Sequence, residues 1–67
     1  MYTAIKEKFN NIKIAQKDIA EKVGITEATM SRIINNKQAT TKSTAYFIVK
    51  CIDNEAEIDE YFRRKGE

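Results

Sequence analysis

The side chains of this chain that could do chemistry are its cations, amides and carboxylates. It has no His and a single Cys, Cys51. A His/Cys zinc site, a Ser-His-Asp triad, a Cys-His nucleophile and an intramolecular disulfide are therefore excluded. Cys51 lies in an apolar stretch, where a free thiol behaves as a small buried hydrophobe. Acids crowd residues 53–60, but their spacing follows an exposed face and not a pair poised for proton transfer. No cofactor motif or metal-ligand set is present, and an enzyme is not expected. The cations are unevenly placed. Residues 1–50 hold nine Lys/Arg against four acids, a net +5, whereas residues 51–67 hold three against six, a net −3. A basic body suits a polyanionic partner, and its chemistry would be non-covalent recognition.

The elements that must position these groups are helical. The chain has no Pro and only two glycines, Gly24 and Gly66, so the punctuation of a tight-turned sheet is missing. Tyr2, Ile5, Phe9 and Ile12 recur at helical spacing and predict a first helix ending near Asn10 or Asn11. Ile19, Ala20 and Val23 predict a second over Gln16–Val23, closed by Gly24 in a left-handed conformation. Thr26 then caps a third, Glu27–Ile34, which buries Met30 and Ile33 or Ile34, with Glu27 complementing the helix dipole. A loop follows over residues 38–42. Thr40, Thr41 or Ser43 caps a fourth helix that buries Ala45, Ile48, Val49 and Ile52, with Phe47 and Cys51 widening its apolar face. Asn54 is expected to cap a fifth helix with Glu55 and Glu57 in its first turn and Arg63, Arg64 and Lys65 in its last, stopped by Gly66. Its stripe is Ile58, Tyr61 and Phe62. The expected fold is all-α: a compact five-helix bundle forming a single domain over residues 1–67. At this length a core contributes only about 3–5 kcal/mol net. No run approaches the ~18–20 apolar residues that cross a bilayer, and no apolar segment resembles a secretory signal, so the cytoplasm is the expected compartment.

Helices 2 and 3 carry the most specific signal. Ala20 precedes the turn glycine by four residues, where a small side chain lets two helices cross closely. Ile25 follows Gly24 and Met30 anchors the next helix, which fixes the angle between the two. This is a helix-turn-helix pattern. The segment 16–37, QKDIAEKVGITEATMSRIINNK, closely resembles the motif of the lambda-repressor-like DNA-binding domains, the family of the phage repressors and Cro proteins. Outside the motif the resemblance is one of helix order.

In that family the helix after the turn enters the major groove, and dimers bind palindromic half-sites about one helical turn apart. The resemblance assigns base contacts to Glu27, Ala28 and Arg32, with Thr29 and Ser31 close by. Glu27 can accept from cytosine N4, Ala28 offers a methyl surface to thymine, and Arg32 can grip guanine O6 and N7. Glu27 stands where phage members often carry Gln, and it serves equally as an acid supporting the helix N-terminus. Gln16 resembles the family glutamine that contacts phosphate and braces the reading helix. Lys17, Asn35, Asn36, Lys37, Gln38 and Lys42 fall where the family grips the DNA backbone. Ala15 departs from the usual Ser or Thr cap.

The resemblance implies a DNA-binding transcriptional regulator acting on double-stranded DNA as a homodimer, Cro-like or a small phage repressor in a bacterial cytoplasm. Ile58, Tyr61 and Phe62 are the candidate dimer or partner surface, unless they serve the intramolecular core. A modest net charge and Glu27 at the reading position leave a second class open: an antirepressor or antitoxin that acts by binding a protein such as a repressor.

Overall fold

The computed structural model describes residues 1–65. Strand β1 (Tyr2–Ala4) leads into a short 3-10 turn (Lys6–Phe9), followed by helices α1 (Gln16–Val23), α2 (Glu27–Ile34) and α3 (Lys42–Ile52). A second 3-10 turn (Ile58–Glu60) and strand β2 (Phe62–Arg64) complete the order. The two strands pair antiparallel with Tyr2 opposite Arg64, Thr3 opposite Arg63 and Ala4 opposite Phe62.

The helix-turn-helix forms as its residues dictate. Gly24 takes φ 91° and its N–H donates to the Ala20 carbonyl at 2.8 Å, which closes α1. Thr26 caps α2 by accepting from the Thr29 N–H at 3.1 Å, and Thr41 caps α3 by accepting from the Thr44 N–H at 3.3 Å. Of the three candidate caps for α3, Thr41 is the one used. Ala15 occupies the cap of α1 without a side-chain hydrogen bond. Ala15→Ser is therefore expected to stabilise the domain by about 0.5–2 kcal/mol. A thermal melt should rise by several degrees, and an unchanged midpoint would show that the entry to α1 gains nothing from a hydroxyl.

The expected five-helix bundle is overturned at both ends. The first predicted helix is instead β1 and a 3-10 turn, although Phe9 is buried and Tyr2 and Ile12 pack against the core as the spacing required, with Ile5 half-buried. Tyr2 exchanges two backbone hydrogen bonds with Thr40, at 2.7 and 2.8 Å, and the Ile5 N–H donates to the Tyr61 carbonyl at 2.8 Å. Partners from distant segments thus satisfy backbone groups that a short isolated helix would leave marginal.

The fifth predicted helix fails because Asn54 does not cap it. Asp53 ends α3, its carboxylate accepts from the Glu55 N–H at 3.0 Å, and its carbonyl accepts from the Ala56 N–H at 3.0 Å. That side-chain turn competes with a helix start. One 3-10 turn follows, bridged by the Glu60 carboxylate accepting from the Glu57 N–H at 2.9 Å, and the chain then extends into β2. Arg63 and Arg64 lie exposed on a strand edge instead of ending a helix. The predicted stop, Gly66, lies outside the described residues.

The core gathers Ile19 and Ala20 of α1, Met30, Ile33 and Ile34 of α2, and Ala45, Ile48 and Val49 of α3. The terminal strands seal it from below through Ala4 and Phe62, with the Phe62 ring edge-on to Phe9 at a centroid distance of 5.6 Å. Phe47 does not widen the buried face of α3 as expected. It is exposed.

Candidate nucleic-acid interface

The buried stripe of α2 leaves the opposite face to solvent, with Glu27, Ala28 and Arg32 exposed and Thr29, Ser31 and Asn35 half-buried. Arg32 is not a free surface cation. Its Nε donates to Gln38 Oε1 at 3.1 Å, and its Nη2 lies 3.4 Å from Thr29 Oγ1, a weaker contact. Thr29 is itself held through its backbone N–H and hydroxyl by Thr26, the hydroxyls being 2.9 Å apart. The guanidinium is therefore laid along the outer face of α2, with Nη1 and one Nη2 hydrogen unspent among the described residues. Those two donors form a fork suited to two acceptors on one planar base edge.

The chain leaves α2 through Asn36 in the left-handed region, at φ 63°. Asn tolerates that conformation better than most residues, which lets it stand where a helix-ending Gly is common. The Lys37 N–H then reaches back to the Arg32 carbonyl at 2.8 Å. This tight exit places Gln38 against Arg32 and leaves Asn36, Lys37 and Lys42 exposed beside the C-terminal end of α2 and the start of α3. Gln16 and Lys17 are exposed on the first turn of α1. Asn35 differs from the other residues predicted to grip the DNA backbone. Its amide Nδ2 donates to the Ser31 carbonyl at 2.9 Å and to Ser31 Oγ at 3.3 Å, so its donor is spent within its own helix.

Two further cations lie near this face. Lys6 and Arg63 line a shallow cleft of about 380 Å³ together with Asn35 and Asn36, at the C-terminal end of α2. Their charges were visible in the sequence, but only the pairing of β1 with β2 brings them to this end of the helix. A larger cleft of about 670 Å³ lies among the first 3-10 turn, the entry to α1 and the end of α3, and none of its lining residues belongs to α2.

Of the two roles open to Ile58, Tyr61 and Phe62, a dimer or partner surface and the intramolecular core, their burial favours the core. Phe62 is 1% exposed and Tyr61 and Ile58 are half-buried, with the Tyr61 ring 5.4 Å from that of Phe9. Strand pairing turns Phe62 into the core, and the 3-10 turn lays Ile58 and Tyr61 over it.

Among the described residues no helix is long and apolar enough to cross a membrane. Neither the comparison with curated proteins nor that with solved structures found a significant match. The helix-turn-helix family model matches residues 5–57, a span that contains α1, the Gly24 turn, α2, the Arg32–Gln38 contact and α3. With that match over most of its length, the chain belongs to the lambda-repressor/Cro-like helix-turn-helix family, whose members are DNA-binding regulatory domains.

Proposed function

We propose that this protein is a sequence-specific transcriptional regulator, of the kind represented by Cro-like and small phage repressor proteins, whose α2 lies in the major groove of a palindromic operator. The observation that carries this reading is the orientation of Arg32. A base-reading arginine must present its fork at a set angle, and the contacts with Gln38 and Thr29 restrict the rotamers that would otherwise be lost on binding. Glu27 and Ala28 lie on the same outward face, in reach of a cytosine amino group and a thymine methyl. Ser31 lies one turn further along. Gln16, Lys17, Asn36, Lys37 and Lys42 flank that face and would set register on the phosphates.

The test is a titration of the purified protein against a pool of random duplexes at two salt concentrations, with sequencing of the bound fraction. Enrichment of a palindrome is expected. Neutralisation of phosphates by Lys17, Lys37 and Lys42 gives a slope of log affinity against log salt of about −3 per subunit. Weak, salt-sensitive binding with no enriched sequence would overturn the operator reading. It would favour the protein-binding modulator that the carboxylate of Glu27 also suits.

A further inference from the structure

The cleft beside the C-terminal end of α2 is built by residues from the two ends of the chain. Ala4 and Phe62 turn into the core, so strand alternation turns Thr3 and Arg63, which face each other across the pair, outward. Lys6 opens the 3-10 turn that follows β1. Lys6 and Arg63 are both exposed, and they line the cleft together with Asn35 and Asn36. Glu7 supplies the one carboxylate of that lining among the described residues, which leaves an excess of one positive charge. A hollow this shallow and polar does not suit an apolar ligand. Asn36 also begins the exposed run Asn36-Lys37-Gln38, so the cleft is continuous with the group that flanks the reading face. The strands are tied to that run. Tyr2 exchanges its two backbone hydrogen bonds with Thr40, which stands between Lys37 and Lys42.

We propose that Lys6 and Arg63 grip the phosphodiester backbone of duplex DNA, extending the contact made by Asn36 and Lys37 onto the terminal strand pair. Phosphates of one strand recur about every 3.4 Å along the duplex axis, so a strand held at Lys37 presents further phosphates to cations set beside Asn36. Arg63 offers a fork of donors and Lys6 a mobile point charge, a pair suited to an oxygen-rich anion. The proposal rests on the DNA-binding reading. It does not need sequence reading, because phosphate contacts carry no sequence information. The competing role for the two cations is structural: the carbonyl end of α2 carries partial negative charge, which a nearby cation complements. The two roles predict different results.

The test is titration of the wild type, Lys6→Ala/Arg63→Ala and Glu7→Gln against the selected duplex and a random duplex of equal length over a salt series. Lys6 and Arg63 should steepen the wild-type slope of log affinity against log salt to about −5 per subunit, from the about −3 of Lys17, Lys37 and Lys42. The double variant should return to about −3 and bind both duplexes about 10-fold more weakly at low salt, with base preference and thermal midpoint unchanged. Glu7→Gln removes the repelling charge and should tighten both duplexes by about 2- to 3-fold. A neutral methylphosphonate stepped through the flanking phosphates should find a position that weakens the wild type and not the double variant. A double variant that keeps the wild-type slope would overturn the proposal. So would one that loses thermal stability alone, the mark of the dipole role, or one that loses affinity only for the preferred sequence. If the double variant does not fold, Glu7→Gln decides, since it is an exposed and isosteric change, and an unchanged affinity there overturns the proposal as well. A wild type that enriches no sequence, with the slope still reduced on random DNA in the double variant, would sink the operator reading and leave this contact intact.

Discussion

Replacing Arg32 with Ala is expected to weaken binding to the preferred operator by about 1–3 kcal/mol, a loss of roughly 5- to 150-fold, and to relax the preference at one base pair. The size follows from the geometry. A buried fork on a guanine edge makes two hydrogen bonds that the wrong base cannot reproduce, and Arg32 is already positioned by Gln38 and Thr29. Gln38→Ala should cost less, about 0.5–1.5 kcal/mol, because it removes one positioning hydrogen bond and leaves the reading group in place. Lys37→Ala should behave differently in kind. It should weaken all sequences alike and reduce the salt slope by about 1, as expected for a phosphate contact. The measurement is a competition titration of each variant against the preferred site and single-base variants of it. If Arg32→Ala lost affinity equally on every sequence, Arg32 would be another phosphate contact and α2 would not read through it.

The second large effect concerns stability. Phe62→Ala should destabilise the domain by about 3–5 kcal/mol, the usual cost of removing a buried aromatic ring and leaving its cavity. In a chain whose core contributes about 3–5 kcal/mol in total, that is enough to populate the unfolded state at room temperature. Phe47→Ala should change stability by no more than about 0.5 kcal/mol, because its ring lies on the surface. Urea denaturation followed by circular dichroism separates the two. A Phe62→Ala variant as stable as the parent would mean that the C-terminal strand does not close the core. Both residues are phenylalanines in apolar stretches of one short chain, and composition cannot distinguish them.

The difference between those two residues illustrates what could be read from the sequence. Phe47 falls within an apolar run whose helical spacing predicts a wider buried face, yet α3 rotates Ala45, Ile48 and Val49 inward and leaves Phe47 out. Periodicity identifies a helix and a stripe, but a broad stripe does not say where the core ends. Phe62 shows the converse case. Its sequence leaves it open between an external interface and the intramolecular core, and strand pairing with Ala4 places it inside. The same pairing carries Lys6 and Arg63 to the end of α2, where no local pattern would have placed them.

The helix-turn-helix was determined by the sequence itself, because every signal that builds it acts within a few residues. Gly24 accepts the left-handed turn, Thr26 and Thr41 cap the next two helices, and Ala20, Ile25 and Met30 set the crossing. Thr29, Arg32 and Gln38 also meet over short separations, so their closeness at the end of α2 is legible in the sequence, although the hydrogen bonds that orient Arg32 are not. Tertiary structure alone decided the two ends of the chain and the two surfaces of α3. Strand β1 exists only because β2 and Thr40 supply its hydrogen bonds from far along the chain, and the spacing of Tyr2, Ile5 and Phe9 fits a helix as well as it fits a strand followed by a 3-10 turn. Local propensity is weak over so few residues. Between two conformations that bury the same side chains, distant backbone partners make the choice.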